Sequence, residues 1–117
     1  PNSAALATRI RSLGGAMTDL RVAEAFDPNG TIDLNLYAFR LPGKDVSKLR
    51  TAIIETWLSA NQAGVTKTDV TLGGKKLTRI DYGADIPTQY VYAGSDYVIT
   101  IETSDTAIAT EVAGKIK

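Results

Sequence analysis

Three tight-turn signals govern what this chain can become. Asp27-Pro28-Asn29-Gly30, Gly73-Gly74 and Gly94-Ser95-Asp96 each lie between two runs rich in alternating apolar residues. Proline presets φ at a turn, and Asn-Gly or Gly-Gly accepts positive φ, so each signal turns the chain back on itself. Successive hairpins of this kind build an antiparallel sheet. Around the first turn, Leu20, Val22 and Phe26 alternate with Arg21, Ala23 and Ala25, with Glu24 interrupting the apolar face. After it, Ile32, Leu34 and Leu36 share one face, and the apolar set then switches to Tyr37, Phe39 and Leu41. Such a switch signals a bulge or a strand buried on both faces. Val65 to Leu72 and Lys75 to Tyr82 flank Gly73-Gly74, while Gln89 to Ala93 and Tyr97 to Glu102 flank the last turn.

Three other segments carry the helical period. Leu6, Ile10, Leu13 and Met17 recur every three or four residues, which predicts a helix over about 3–14, capped by Asn2 or Ser3. Val46, Leu49, Ile53, Trp57 and Ala60 form the stripe of a helix over about 45–62, capped by Asp45 and stopped at Ala63-Gly64. Trp57 is read as core. Ile108, Val112 and Ile116 mark a last helix behind the cap Asp105. The predicted order is α-β-β-α-β-β-β-β-α. Each helix has one apolar stripe, so the expectation is an α+β two-layer sandwich. Its mainly antiparallel sheet of about six strands carries the helices on one face.

Composition narrows the chemistry. The 117 residues contain no Cys and no His. A disulfide framework, a Cys/His zinc site, His-ligated haem, a thiol nucleophile and a Ser-His-Asp triad are all excluded within the chain. Thirteen basic residues balance thirteen acidic ones, and neither half is a polycation. This argues against nucleic acid as a partner. No run of 18 apolar residues occurs, so no transmembrane helix is expected. The chain is read as a single domain over 1–117. It opens Pro1-Asn2-Ser3 without Met, as expected of a trimmed or mature form of a longer chain.

Several constellations invite a chemical reading. Asp27, Asn29 and Asp33 place oxygens close together, but the residues that follow do not continue a calcium loop: Gly30 comes early and Ala38 stands where the closing Glu belongs. A turn is expected there, and Asn29-Gly30-Thr31 is read as part of it rather than as a glycosylation site. Asp81 and Asp85 could form the carboxylate pair of a small hydrolase, given a cleft that desolvates one of them. Two solvated loop aspartates are the simpler expectation. Lys67, Lys75, Lys76 and Arg79 cluster around the Gly73-Gly74 hairpin, where they would blunt a strand edge or meet an anionic partner. Tyr90 and Tyr92 share one face of a strand. If that face is open, their rings are a surface for a sugar or a protein.

The order of these motifs carries a resemblance. Asp19-Leu20-Arg21-Val22-Ala23, Arg40-Leu41-Pro42-Gly43, Leu72-Gly73-Gly74-Lys75-Lys76-Leu77-Thr78-Arg79-Ile80 and Tyr90-Val91-Tyr92-Ala93-Gly94-Ser95-Asp96-Tyr97 follow one another. Together they resemble a loose family of uncharacterised exported bacterial proteins and lipoproteins, in which a Gly-Gly-Lys hairpin precedes a tyrosine strand and a Gly-x-Asp turn. The resemblance implies a place outside the cytoplasmic membrane and supplies no catalytic residue. The expectation is a non-enzymatic extracytoplasmic binding module, without cofactor or metal, that meets a protein or a cell-surface glycan. Its candidate binding residues are Tyr90, Tyr92, Lys75, Lys76 and Arg79. The alternatives are a scaffold domain of a cell-surface protein and the carboxylate hydrolase.

Overall fold

The computed structural model describes residues 2–60, 65–83 and 86–116. The side chain of Trp57, the stop at Ala63-Gly64, Asp85, and the cap side chains of Asn2 and Ser3 lie outside the described residues. The first helix, α1, spans Asn2–Ser12, and a single 3-10 turn at Met17–Asp19 leads to β1 (Arg21–Phe26) and β2 (Asn35–Arg40). Next come α2 (Val46–Ala60), β3 (Thr66–Leu72), β4 (Lys75–Asp81), β5 (Thr88–Ala93), β6 (Val98–Thr103) and α3 (Thr106–Lys115). The six strands form one antiparallel sheet in the order β1-β2-β6-β5-β4-β3. The α+β sandwich and its element order are those expected from the sequence. Among the described residues, no helix is long and apolar enough to cross a membrane.

Both predicted aspartate caps are in place. Asp45 accepts a hydrogen bond from the Ser47 amide at 2.8 Å, and Asp105 accepts one from Ala107 at 2.8 Å. Each satisfies a helix-end amide that the helix itself leaves unpaired.

The helices divide between the two faces of the sheet. Ile10 of α1 and Leu49, Ile53 and Ile54 of α2 pack on Phe39, Ile80, Val91 and Val98. The Arg9–Glu55 ion pair, 3.6 Å, joins the two helices at their solvent side. On the reverse face, Ala109 and Ala113 of α3 pack on Leu77, Tyr90 and Ile101. Strand alternation separates these sets, since neighbours such as Tyr90 and Val91, or Val98 and Ile99, point to opposite sides. The expected one-face placement therefore holds for α1 and α2 and is corrected for α3. The physical reason is visible in β2. Leu36 packs with the α3 cluster while Tyr37 and Phe39 pack with the α1 and α2 cluster. Its pairing with β1 and β6 is continuous, so the apolar switch reports two buried faces and not a bulge.

The end of α3 is fastened to the β3–β4 hairpin. Gly73, at φ 56°, brings its Cα to within 3.8 Å of the point where a Gly114 side chain would begin. Lys75 Nζ donates to the Ala113 carbonyl at 3.2 Å, an acceptor at the helix end that also receives the Ile116 amide at 3.3 Å. This anchorage draws α3 across β6, β5 and β4 toward β3, away from β1.

Candidate functional site

The path of α3 leaves the β1–β2 side of its face uncovered. Arg21, Ala23 and Ala25 of β1 point to this face, opposite Arg40, Ala38 and Leu36 of β2. Three of these six side chains are single methyl groups. They set a low floor between higher walls, and a groove of about 470 Å³ results. Ala23, Ala25, Leu36, Ala38 and Ile99 form the floor, with Val112, Lys115 and Ile116 of α3 as one wall, and Glu24 and Tyr37 complete the lining. A second cavity of about 400 Å³ adjoins it, sharing Ala25 and Leu36 and continuing past Pro28, Ile32 and Leu34. Volumes of a few hundred Å³ lined by apolar groups are the ordinary dimensions of a ligand pocket.

Glu24 and Lys115 are the charged residues of the lining, and two arginines lie beyond its edge. Arg21 and Arg40 oppose each other in register, one step beyond Ala23 and Ala38. Arg40 Nε lies 3.0 Å from Asp96 Oδ2, and Lys115 Nζ lies 3.2 Å from Glu111 Oε1. Arg21 makes no ion pair among the described residues. Glu24, the acidic residue of β1, has the opposite parity and points to the other face. There it bonds Tyr37, and that hydrogen bond, with burial and the charges of Glu24 and Glu102, raises the Tyr37 phenol above its ordinary pKa. At the far end of the groove, Asp27 turns its carboxylate inward to its own loop. It accepts from the amides of Asn29, Thr31 and Ile32 and from the Thr31 hydroxyl. The Thr31 hydroxyl and the Asn29 amide hold its pKa below the usual carboxylate value, as expected of a turn-forming aspartate. Asp33 accepts from the Ser104 amide at 2.9 Å.

The residues singled out in the sequence are distributed differently from the expectation. Tyr90 is only 2% exposed and lies beneath α3. Tyr92 is half-buried, its ring 6.5 Å from that of Tyr97. The pair faces the same side as the groove but does not form an open platform. The basic cluster separates by strand alternation. Lys75 is held by α3, Arg79 bridges to Asp81 at 3.4 Å, and Lys76 and Lys67 are exposed toward the opposite face. Asp81 also accepts from the Gly83 amide at 3.1 Å. Its proposed partner Asp85 lies outside the described residues. The sequence does not mark the groove residues Ala23, Ala25, Leu36 and Ala38 as a site, because alanines alternating in a strand carry no chemical signature.

The opposite face holds a polar belt. Glu102 accepts from Asn35 Nδ2 at 3.1 Å and from Gln89 Nε2 at 2.7 Å. Beside it Tyr82 Oη, Gln89 Oε1 and Thr100 Oγ1 are buried without a hydrogen-bond partner among the described residues. Burial, then the Glu102 charge, pushes the Tyr82 phenol up to about 12. These groups sit between the sheet and α1 and α2 and take no part in the groove.

In comparisons with known proteins, no family model matches the chain, and no curated protein matches it significantly.

Proposed function

We propose that this domain is a non-enzymatic binding module that takes an apolar ligand in the groove between the β1–β2 pair and α3, and that it works outside the cytoplasmic membrane. One observation carries the reading: an apolar face of the sheet, floored by alanines, that the domain's own helix passes by. Contiguous exposed apolar surface of this kind is costly in water and marks an interaction site. The burial of Tyr90 favours an apolar ligand over a glycan, since a sugar would need both tyrosine rings accessible for stacking. The location rests on the resemblance to exported proteins. An environment-sensitive apolar dye tests the site. The wild-type domain binds the dye saturably with one-to-one stoichiometry, and Ala38→Trp, which fills the floor, abolishes binding while the thermal midpoint stays near that of the wild type. Undiminished dye binding by a folded Ala38→Trp domain would remove the groove as the site.

A further inference from the structure

We propose that the domain carries a second site, for a small phosphate monoester, in the cleft between α2 and the β3–β4 hairpin. Arg50 and Lys76 clamp the phosphate, and the rest of the ligand donates hydrogen bonds to Asp69. The site lies on the sheet face opposite the apolar groove and does not depend on it.

Strand parity brings these side chains together. Ile80 of β4 packs with the α1 and α2 cluster, so Thr78 and Lys76, two and four residues before it, point to the same side. Asp69 and Thr71 of β3 lie opposite Thr78 and Lys76 in register and share that face. α2 lies mainly over β5 and β6 and leaves this ribbon open beside it. The resulting cleft, about 460 Å³, is lined by Arg50, Asp69, Thr71 and Lys76, with Val70 and Leu77 completing it. That volume suits a small molecule.

Arg50, Lys76 and Asp69 make no ion pair among the described residues. Arg50 is half-buried and donates from Nη2 to the hydroxyl of Thr78, which is itself buried. That bond fixes the guanidinium over β4 and leaves further donors of its fork for a ligand. Lys76 stands two residues from Thr78 on the same face, roughly 6.6 Å along the strand at about 3.3 Å per residue. A tetrahedral anion with charge-assisted bonds of about 2.8 Å to each cation bridges such a gap. Two cations match the near-double charge of a phosphate monoester better than the single charge of a carboxylate or a phosphodiester. The exposed Thr71 hydroxyl, opposite Lys76, adds a donor. Asp69 can only accept, so a bare anion meets repulsion there, whereas a ligand with hydroxyl groups satisfies it.

The test uses the whole chain and three probes: methyl phosphate, the singly charged diester dimethyl phosphate, and glycerol 3-phosphate. Affinity and location are read together from amide shifts in NMR titrations at neutral pH and low ionic strength. Methyl phosphate is expected to bind about fivefold tighter than dimethyl phosphate, the upper end for one solvent-exposed ion pair, with the largest shifts at Arg50, Thr71 and Lys76. Lys76→Gln should remove that advantage, and Arg50→Gln should weaken methyl phosphate further. Lys76 is exposed, so its variant keeps the fold and decides the matter should Arg50→Gln fail to fold. Glycerol 3-phosphate is expected to bind at least about threefold tighter than methyl phosphate, the scale of one net hydrogen bond, and Asp69→Ala should abolish this difference while tightening methyl phosphate. Equal affinity for monoester and diester, shifts spread over all the surface lysines, or an affinity that Lys76→Gln leaves unchanged would overturn the phosphate clamp. Glycerol 3-phosphate binding no tighter than methyl phosphate would overturn the role of Asp69. Dye binding in the apolar groove is unaffected by any of the three probes, so the two sites stand or fall separately.

Discussion

Replacing Gly73 by alanine measures how firmly α3 is held across the sheet. Gly73 has a φ of 56°, and a Cβ there would stand 2.7 Å from Gly114 Cα and 2.8 Å from the Thr110 carbonyl oxygen, nearer still to the Gly114 amide nitrogen. These are backbone atoms of a helix and cannot swing aside. The neighbouring Gly74 has a φ of 78° and open space around it, so it reports the conformational penalty alone. A left-handed alanine costs roughly 1–2 kcal/mol at either position. At Gly73 the collision adds about 1–3 kcal/mol, the usual cost of forcing extra atoms into a packed contact. With ~2 kcal/mol for the collision and a urea slope of ~2 kcal/mol per molar, the Gly73→Ala midpoint should fall about 1 M below that of Gly74→Ala. Because the contact positions Val112 and Ile116 as the groove wall, dye affinity should also drop in Gly73→Ala and hold in Gly74→Ala. Coincident midpoints with equal slopes would refute the close approach of hairpin and helix, and with it the explanation of where α3 runs.

Other outcomes follow from the same geometry. Ile53→Ala and Ile101→Ala each empty a fully buried site, on opposite faces, and should each cost about 2–5 kcal/mol in urea titrations. The double variant should equal their sum within about 0.5 kcal/mol, as for sites sharing no partner. Tyr82→Phe removes a buried hydroxyl that has no partner among the described residues, so stability at neutral pH should hold or rise. The phenol's pKa is raised from 10.0 to about 12 in the folded state, so the unfolded chain loses that proton first. Stability should then fall as pH climbs through this window, and Tyr82→Phe should flatten that limb. Asp27 and Asp45 behave in the opposite sense. Hydrogen bonds from the Thr31 and Ser47 side chains, and from backbone amides, hold both below the ordinary 3.8. Their contribution is present above that value and is lost as acid protonates the folded form. Asp27→Asn should therefore lessen the drop in urea midpoint between about pH 5 and about pH 3.

The fold was legible where local chemistry and tertiary structure agree. Asp45 and Asp105 announce their helices because a carboxylate ahead of an apolar stripe has few other uses there. Gly73-Gly74 announces its hairpin by the positive φ that both glycines adopt, whereas Gly94-Ser95-Asp96 turns without one, closed by the Gly94 amide donating to the Tyr97 carbonyl at 2.8 Å. The placement of α3 was less direct. Its apolar stripe shows that it must be buried but not against which side of the sheet. The information lay in the strands: Leu36 against Tyr37 and Phe39 in β2, and Leu77 against Ile80 in β4, demand partners on both faces. The site was harder to read for a different reason. A groove is defined by what fails to cover it, and the route of α3 depends on the contact of Gly73 with Gly114, residues 41 apart in the chain. Tyr90 looked available because its strand alternates, yet the helix arriving from the far end of the sequence lies over it.

The strand order also bears on how the molecule is made. β6 is the last strand to be synthesised but lies in the middle of the sheet, between β2 and β5. Its side chain Glu102 meets Asn35 from 67 residues earlier. Until β6 has emerged from the ribosome, β1–β2 and β3–β4–β5 are separate ribbons, each with an unsatisfied edge that invites pairing with the wrong chain. Closure of so distant a loop must precede its reward, which places folding in the slow range typical of non-local sheets. During that interval a nascent chain of this design has reason to be held by a chaperone.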